Sequence, residues 1–244
     1  MESLLSMLLK TLKNSSDPLA VPVITIDGPS GSGKGTISHL LARELAWHFL
    51  DSGAIYRAVA WIALSTQIPF DEEKLRAFVE ELALSFSVRP ADDMLRICWK
   101  QRDITDMIRT EEVGHLASQL GAFAKVRQAL LAYQRAFRRP PGLVADGRDM
   151  GSVVFPDAEL KIFLEASLEE RAKRRYLQLK AKGKHVSLCS VRAELEQRDH
   201  RDRQRPIAPL IAPEGATIID TTHLSIQDVL QCIKNKLPQA QTKT

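Results

Sequence analysis

The sequence predicts an α/β chain with a central parallel β-sheet covered by helices on both faces. Short apolar, β-branched runs alternate with helical patterns along most of its length. The first of these runs passes into a glycine-rich turn that opens a helix, and no internal repeat or low-complexity tract breaks the order. In such sheets ligands sit outside the carboxyl ends of the strands. The polar residues that end each run, Asp27, Asp51, Asp146 and Arg148, are therefore expected to line one rim.

Val23-Ile24-Thr25-Ile26-Asp27 is the first strand, and Gly28-Pro29-Ser30-Gly31-Ser32-Gly33-Lys34-Gly35-Thr36 follows it. A phosphate cradle requires this order. Glycines remove side chains where backbone must wrap an anion, and the following helix offers free N–H groups and its positive dipole end. Lys34 adds a point charge able to reach the outer phosphates of a nucleotide. The spacing fits the P-loop pattern with one departure: the position after the lysine, usually Ser or Thr, is Gly35, and a hydroxyl comes only at Thr36. The pattern implies a bound nucleoside triphosphate and a P-loop NTPase three-layer fold.

The remaining elements follow in order. Residues 34–46 have helical periodicity through Ile37, Leu40, Leu41 and Leu45, and Trp47–Leu50 is a short strand. Asp51 or Ser52 caps a helix carrying Ile55, Val59 and Ile62, and 72–82 is helical again. Leu84–Arg89 and Met94–Lys100 then form two strands joined by the turn cluster Pro90-Ala91-Asp92-Asp93, a small β excursion inserted into the α/β chain. Helical patterns over 110–138 stop at Pro140-Pro141-Gly142. Strands at 143–146 and 160–164, charged helices at 167–182 and 188–204, a strand at 216–220 and a helix at 225–236 complete the chain.

A chain of 244 residues suits one large α/β domain or a core carrying insertions. Its 44% apolar and 26% charged content is ordinary for a soluble globular protein. The net charge of +4 suits a phosphorylated small molecule at least as well as a nucleic acid. Cys98, Cys189 and Cys232 are scattered and odd in number, which suggests reduced thiols in a cytoplasmic protein, with neither a disulfide framework nor a zinc site. Residues 1–20 hold an apolar run broken by Ser6 and Lys10. It is too short for a bilayer and lacks a basic flank, so it is expected to be a short amphipathic helix or a poorly ordered extension.

Beyond the P-loop, Arg57 in Asp51-Ser52-Gly53-Ala54-Ile55-Tyr56-Arg57 is placed to clamp a second phosphate with its fork, or else to be an ordinary surface arginine. Asp146-Gly147-Arg148-Asp149-Met150-Gly151 packs two carboxylates and a guanidinium around glycines at a strand end. Asp146 is placed like the acid that holds hydrated Mg2+ in other P-loop proteins. Arg198, Asp202 and Arg205 fall at i, i+4 and i+7 and would share one helix face, able to close over phosphates and a sugar hydroxyl. Arg171, Arg174 and Arg175 form a further basic cluster, in which Arg174 reads better as a solvated ion-pair partner. By periodicity alone, Arg109, Ser118 and Arg127 are helix-surface residues without a function.

The strings Ile-Asp-Gly-Pro-Ser-Gly-Ser-Gly-Lys-Gly-Thr (26–36), Leu-Asp-Ser-Gly-Ala-Ile-Tyr-Arg (50–57), Ala-Asp-Gly-Arg-Asp-Met-Gly (145–151) and Arg-Asp-His-Arg-Asp-Arg-Gln-Arg (198–205) closely resemble the bacterial cytidylate kinases. The resemblance runs in order from about Val21 to about Lys236. The P-loop with glycine after lysine is shared by nucleoside monophosphate kinases generally, whereas the second and third strings are far more specific. The resemblance implies transfer of the ATP γ-phosphoryl group to CMP or dCMP by a monomer, with Mg2+ accompanying ATP. It implies a kinase domain over 21–236, with a monophosphate-binding region near 54–138 that includes the β insert. A LID region follows at 167–205, and residues 237–244 form a tail. It puts Gly28, Pro29, Ser30, Gly31, Ser32, Gly33, Lys34, Gly35 and Thr36 on ATP, and Asp51 and Ser52 beside the acceptor. Arg57, Arg148 and Arg205 fall on the CMP phosphate; Ser118, Arg127 and Asp149 surround cytosine; Arg198 and Asp202 lie near the sugar. Arg171 and Arg175 are the LID arginines expected over the transferred group.

The physics agrees with these positions. Cytosine presents an amine donor where uracil presents a carbonyl, so an acceptor such as Asp149 favours CMP. Other small-molecule kinases acting on UMP, AMP or shikimate form the nearest rival class. A GTPase switch would need Ser or Thr after Lys34 and an Asn-Lys-x-Asp motif, and the sequence has neither. No membrane partner and no stable nucleic-acid partner are expected.

Overall fold

A computed structural model describes residues 21–89 and 94–237. The expected N-terminal helix or extension, the 90–93 turn and the tail after 237 lie outside the described residues. The described chain forms two compact units, one of residues 21–51 with 134–237 and one of residues 52–133.

The first unit is built on β1 (Val23–Asp27), which is followed by α1 (Lys34–Leu45) and β2 (His48–Asp51). The chain returns to this unit before β6 (Leu143–Gly147) and β7 (Leu160–Glu165). Next come α6 (Leu168–Ala181), α7 (Leu188–Gln204), β8 (Thr217–Asp220) and α8 (Ile226–Lys234). The five strands form one parallel sheet in the order β2-β6-β1-β7-β8. β1 and β6 are buried at every position, which is why they read as apolar runs without alternation. Ile24, Ile26, Val144, Ile162 and Leu164 form a core with Ile37 and Leu41 of α1 and Val229, Leu230 and Ile233 of α8.

The strand register aligns Asp27 with Gly147 and Asp51 with Asp146, so the polar strand ends meet at one carboxyl edge, as expected. A π-helical turn, Met150–Val154, follows β6; no sequence periodicity announces it. Helices α6 and α7 form a charged hairpin with its own small core of Ala172, Leu179, Val191 and Leu195. Each helix is capped by a serine, Ser167 and Ser187, whose hydroxyl accepts a backbone N–H of the first turn. Gly183, at φ 71°, takes the left-handed conformation in the link between them.

The second unit contains α2 (Ser52–Ser65) and α3 (Glu72–Glu80), then β3 (Leu84–Arg89), β4 (Met94–Trp99) and β5 (Arg102–Asp103). After a 3-10 turn at Met107–Arg109 come α4 (Glu111–Leu120) and α5 (Ala124–Arg135). The β excursion is an antiparallel sheet with Phe86 opposite Ile97, and a two-residue third strand extends it. The long helical pattern over 110–138 resolves into two helices that break around Gly121.

Candidate active site: the phosphate cradle and its arginines

The cradle begins where β1 runs out. Gly28 takes φ 151°, and a Cβ there would stand 2.2 Å from the Leu164 carbonyl oxygen, so only glycine fits between β1 and β7. Gly33, left-handed at φ 91°, turns the chain into α1. Lys34 opens that helix, is 7% exposed, and donates from Nζ to the Pro29 carbonyl at 2.9 Å. Its ammonium thus folds back over the loop that it would share with an anion. Burial, aided by Arg148, pulls the Lys34 pKa down to about 7 despite the opposing charge of Asp146.

Arg148 sits at the mouth of this loop. Its Nε donates to Asp202 Oδ2 at 3.1 Å, Nη1 to the Gly147 carbonyl at 3.1 Å, and Nη2 reaches Ser30 Oγ at 3.4 Å. One guanidinium therefore touches both the cradle and the α7 carboxylate. Asp202 also lies 4.0 Å from Arg198 Nε. Burial pushes the Asp202 carboxyl up, but Arg148, Arg198 and Arg205 together hold it below its ordinary value. Arg205 Nη2 lies 3.9 Å from Asp149 Oδ1, so Arg148, Asp149, Arg198, Asp202 and Arg205 form one alternating-charge cluster.

α7 ends at Gln204 with Arg205 as its C-cap: φ −62° and an N–H donated to the Arg201 carbonyl keep its Cβ in helical register with Arg198 and Asp202, and ψ 137° turns the chain away only after it. Its Nε donates to the Ala208 carbonyl.

Arg171, expected over a transferred phosphate, is buried and engaged with the fold. Its Nη1 donates to the Ser30 carbonyl at 3.1 Å, Nε to the Ala166 carbonyl at 3.0 Å, and Nη2 pairs with Asp199 at 2.7 Å. It ties the α6–α7 hairpin to the apex of the cradle. Arg175 is half-buried, and its Nη1 reaches Gln178 Oε1 at 3.5 Å. Arg174 pairs with Glu170 and donates to Thr221.

Asp146 is buried, and its Oδ1 has no hydrogen-bond partner among the described residues. Burial pushes its pKa up to about 7 even with Lys34 nearby. A Cβ on Gly35 would meet Asp146 Oδ2 at 3.2 Å, so the departure from the usual P-loop residue leaves space in front of this carboxylate.

Arg57, Ser118 and Arg127 belong to the second unit. Arg57 Nη1 donates to the carbonyls of Ile108 and Thr110, each at 3.1 Å. Gly114 is the reason it can: a Cβ there would stand 2.6 Å from Arg57 Nη2. Arg127 donates to the Gly121 carbonyl at 3.2 Å and stacks 5.8 Å from the Tyr56 ring centroid. Ser118 Oγ is buried and has no hydrogen-bond partner among the described residues. Ser52, in the first turn of α2, is buried, and Asp51 ends β2 in the first unit.

Sequence reasoning passed over Asp199, the partner of Arg171, and Gly114, the space for Arg57. Spacing holds no signal for either, because one is an inter-helix contact and the other is a missing side chain.

Residues 24–239 match the family described as cytidylate kinase. A cytidylate kinase of Methylococcus capsulatus is 57% identical over 212 residues, covering 86% of this chain and 94% of that one. One from Stutzerimonas stutzeri is 55% identical over 218 residues (89% and 95%), and one from Pseudomonas entomophila is 54% identical over 217 residues (88% and 95%).

Proposed function

The chain belongs to the cytidylate kinase family, and from that premise we propose how its own residues divide the work. The activity is transfer of the γ-phosphoryl group of ATP to CMP or dCMP, giving ADP with CDP or dCDP. One observation carries the division: Arg148 bridges Ser30 of the cradle and Asp202 of α7, so one cation stands beside both the donor loop and the acceptor residues.

The backbone N–H groups of Gly28–Thr36 and Lys34 hold the β and γ phosphates of ATP. For this, Lys34 Nζ leaves the Pro29 carbonyl for a phosphate oxygen. Arg148 and Arg205, with Arg57 from the second unit, hold the CMP phosphate. Arg198 and Asp202 serve the sugar, and Asp149, with Ser118 and Arg127, serves the base; Asp51 and Ser52 stand beside the acceptor. The buried, unsatisfied Ser118 hydroxyl supports a ligand role for that residue. The CMP phosphate is itself the nucleophile, so no covalent enzyme intermediate is needed, and catalysis rests on alignment and charge neutralisation. Residues 167–205 are the LID region, with Arg171 and Arg175 as the arginines that close toward the transferred group. Arg171 keeps the hairpin seated on the cradle and excludes water that would otherwise hydrolyse ATP.

The orphaned Asp146 Oδ1 and the space left by Gly35 fit Mg2+ held through water. Bound there, Mg2+ would neutralise charge on the β and γ phosphates. The same reading takes residues from about 54 to 138 as the monophosphate-binding region and the protein as a cytoplasmic monomer. The scattered cysteines support the compartment, and no helix among the described residues is long and apolar enough to cross a membrane.

A panel of CMP, dCMP, UMP, AMP and shikimate with ATP and Mg2+ tests the acceptor. CMP and dCMP are expected to dominate kcat/KM. Preference for UMP or AMP would overturn the base-recognition roles, and no turnover of any acceptor would overturn the kinase reading.

Protonation offers an independent check. Lys34 is largely neutral at about pH 8 in the free protein, because burial lowers its pKa to about 7. Phosphates restore its charge, so ATP binding near pH 8 is expected to take up close to one proton. The sign follows: affinity weakens as pH rises from about 7 toward the ordinary lysine value. Calorimetry in buffers of different ionisation enthalpy measures this uptake, and Lys34→Met should abolish it.

A further inference from the structure

We infer that Asp27 is a positioning residue for acceptor recognition: its carboxylate fixes the 148–151 loop, and with it Arg148 and Asp149, to the root of the phosphate cradle. The inference rests on the reading that Arg148 and Asp149 hold CMP.

Asp27 is fully buried at the end of β1, and its two carboxylate oxygens accept from Met150 and Gly151, neither of which is assigned to substrate. Its Oδ1 accepts the Met150 N–H at 2.8 Å and its Oδ2 accepts the Gly151 N–H at 2.8 Å. These are among the first amides of the π-helical turn Met150–Val154, whose opening carbonyl belongs to Asp149. A helix start leaves such amides without partners inside the turn, and a carboxylate satisfies two at once by charge-assisted bonds. Asp27 thus caps the turn from 123 positions away.

Both ends of this brace are rigid. The Asp27 backbone is hydrogen-bonded within the sheet between β6 and β7, and Gly28 behind it is pressed against the Leu164 carbonyl. On the other side Met150 is fully buried. A Cβ on Gly151 would lie 2.7 Å from Thr25 Oγ1 and 2.9 Å from Pro213 Cγ, so the loop fits in one position only. Arg148 and Asp149 are the residues immediately before the braced amides. Because the same strand end continues into Gly28, the brace sets the acceptor residues at a fixed distance from the donor loop. That distance is what in-line transfer between two bound nucleotides depends on.

A buried carboxylate is a costly way to cap a turn. Burial raises its pKa to about 7 against the pull of both N–H groups. An apolar or amide side chain would avoid that cost, but neither can accept two backbone N–H groups on two oxygens. The geometry points to the second bond as the one that matters, because it keeps the turn from rotating about the first.

Asp27→Asn tests this by keeping size and one acceptor while turning a donor toward the Gly151 N–H. With the loop loosened, KM for CMP is expected to rise about tenfold or more, the scale of losing a hydrogen bond to a charged group. The ratio of kcat/KM for CMP over UMP is expected to fall about fivefold, while KM for ATP stays within about threefold. A role confined to stability would lower Tm and leave the CMP-over-UMP ratio unchanged. A folded Asp27→Asn protein with wild-type CMP KM and wild-type ratio overturns the inference.

Gly151→Ala keeps the carboxylate and displaces the amide, so it decides by the same ratio where Asp27→Asn is not recovered folded. Asp149→Asn separates the two levels of the reading. If its ratio is unchanged, the base-recognition role fails; if it collapses while Asp27→Asn does not move, only the brace fails.

Discussion

Arg148→Ala is expected to lower kcat/KM for CMP by about a thousandfold and to leave a folded protein. The size follows from what the side chain does. It reaches both the Ser30 hydroxyl and the Asp202 carboxylate, and removing one preorganised charge donor from a group-transfer site costs about 3–4 kcal/mol. Arginine contacts to a transferring phosphoryl group reach further still, about 10³–10⁵ in rate. The cost to the fold is smaller. Asp202, 5% exposed at its side chain, loses its closest cation but keeps Arg198 at 4.0 Å and the field of Arg205. Its carboxyl then rises toward its ordinary value. A depressed carboxyl contributes stability above its unfolded pKa that is lost as pH falls through the folded one, so the variant starts with less of that contribution at neutral pH. About 1–3 kcal/mol, or roughly 2–10 °C in Tm, is the expected penalty. Arg148→Lys restores the charge without the fork and should recover only part of the rate. Wild-type kinetics in Arg148→Ala, with steady-state assays and a thermal melt run together, would remove this arginine from the phosphate clamp.

How much of this site could be read in the sequence depends on the distance over which each contact acts. The strands and most helices were legible because apolar periodicity is local, and the register then brings Asp27, Asp51 and Asp146 to one edge. The cradle was legible because glycines and Lys34 are consecutive. The two-residue strand Arg102–Asp103 was not, since two residues hold no period, and neither was the π-helical turn, whose geometry no propensity encodes. Arg205 shows how far helical spacing reaches. As the C-cap of α7 it keeps the register that groups it with Arg198 and Asp202, but spacing alone does not show that its guanidinium also lies near Asp149 of another element. Arg171 shows what a resemblance leaves out: it points to a LID arginine, but only the fold shows the side chain paired with Asp199 and bonded to the Ser30 carbonyl. Asp27 ends a strand like any polar residue there, and only the fold reveals that its oxygens face amides at 150 and 151.

Lys34→Ala is expected to reduce kcat/KM for ATP by about a hundredfold to a thousandfold while leaving Tm unchanged or slightly raised. The two halves of this prediction have the same cause. Lys34 is a buried ammonium that donates to one neutral carbonyl, the Pro29 oxygen at 2.9 Å. An ammonium has three donors, and burial, aided by Arg148, outweighs the pull of Asp146 and brings the pKa to about 7. In the ligand-free protein the side chain is thus held at a cost, and its removal relieves that cost. The cost becomes an advantage only when polyphosphate fills the cradle and the ammonium meets charge in a site that water has left. Asp146 moves in the opposite sense: without Lys34 it loses the main influence favouring its ionised form, so its pKa climbs above about 7. A raised carboxyl contributes its stability below its unfolded pKa and loses it as pH rises through the folded value. In the variant that loss runs on to higher pH, and the neutral Lys34 that favours the wild-type fold above about pH 7 is gone. The variant's Tm should therefore fall more steeply with rising pH than wild type's across the neutral range. Paired melts across that range, together with ATP titrations, measure both effects. A marked fall in Tm with ATP affinity intact would make Lys34 a support of the loop, not a ligand of phosphate.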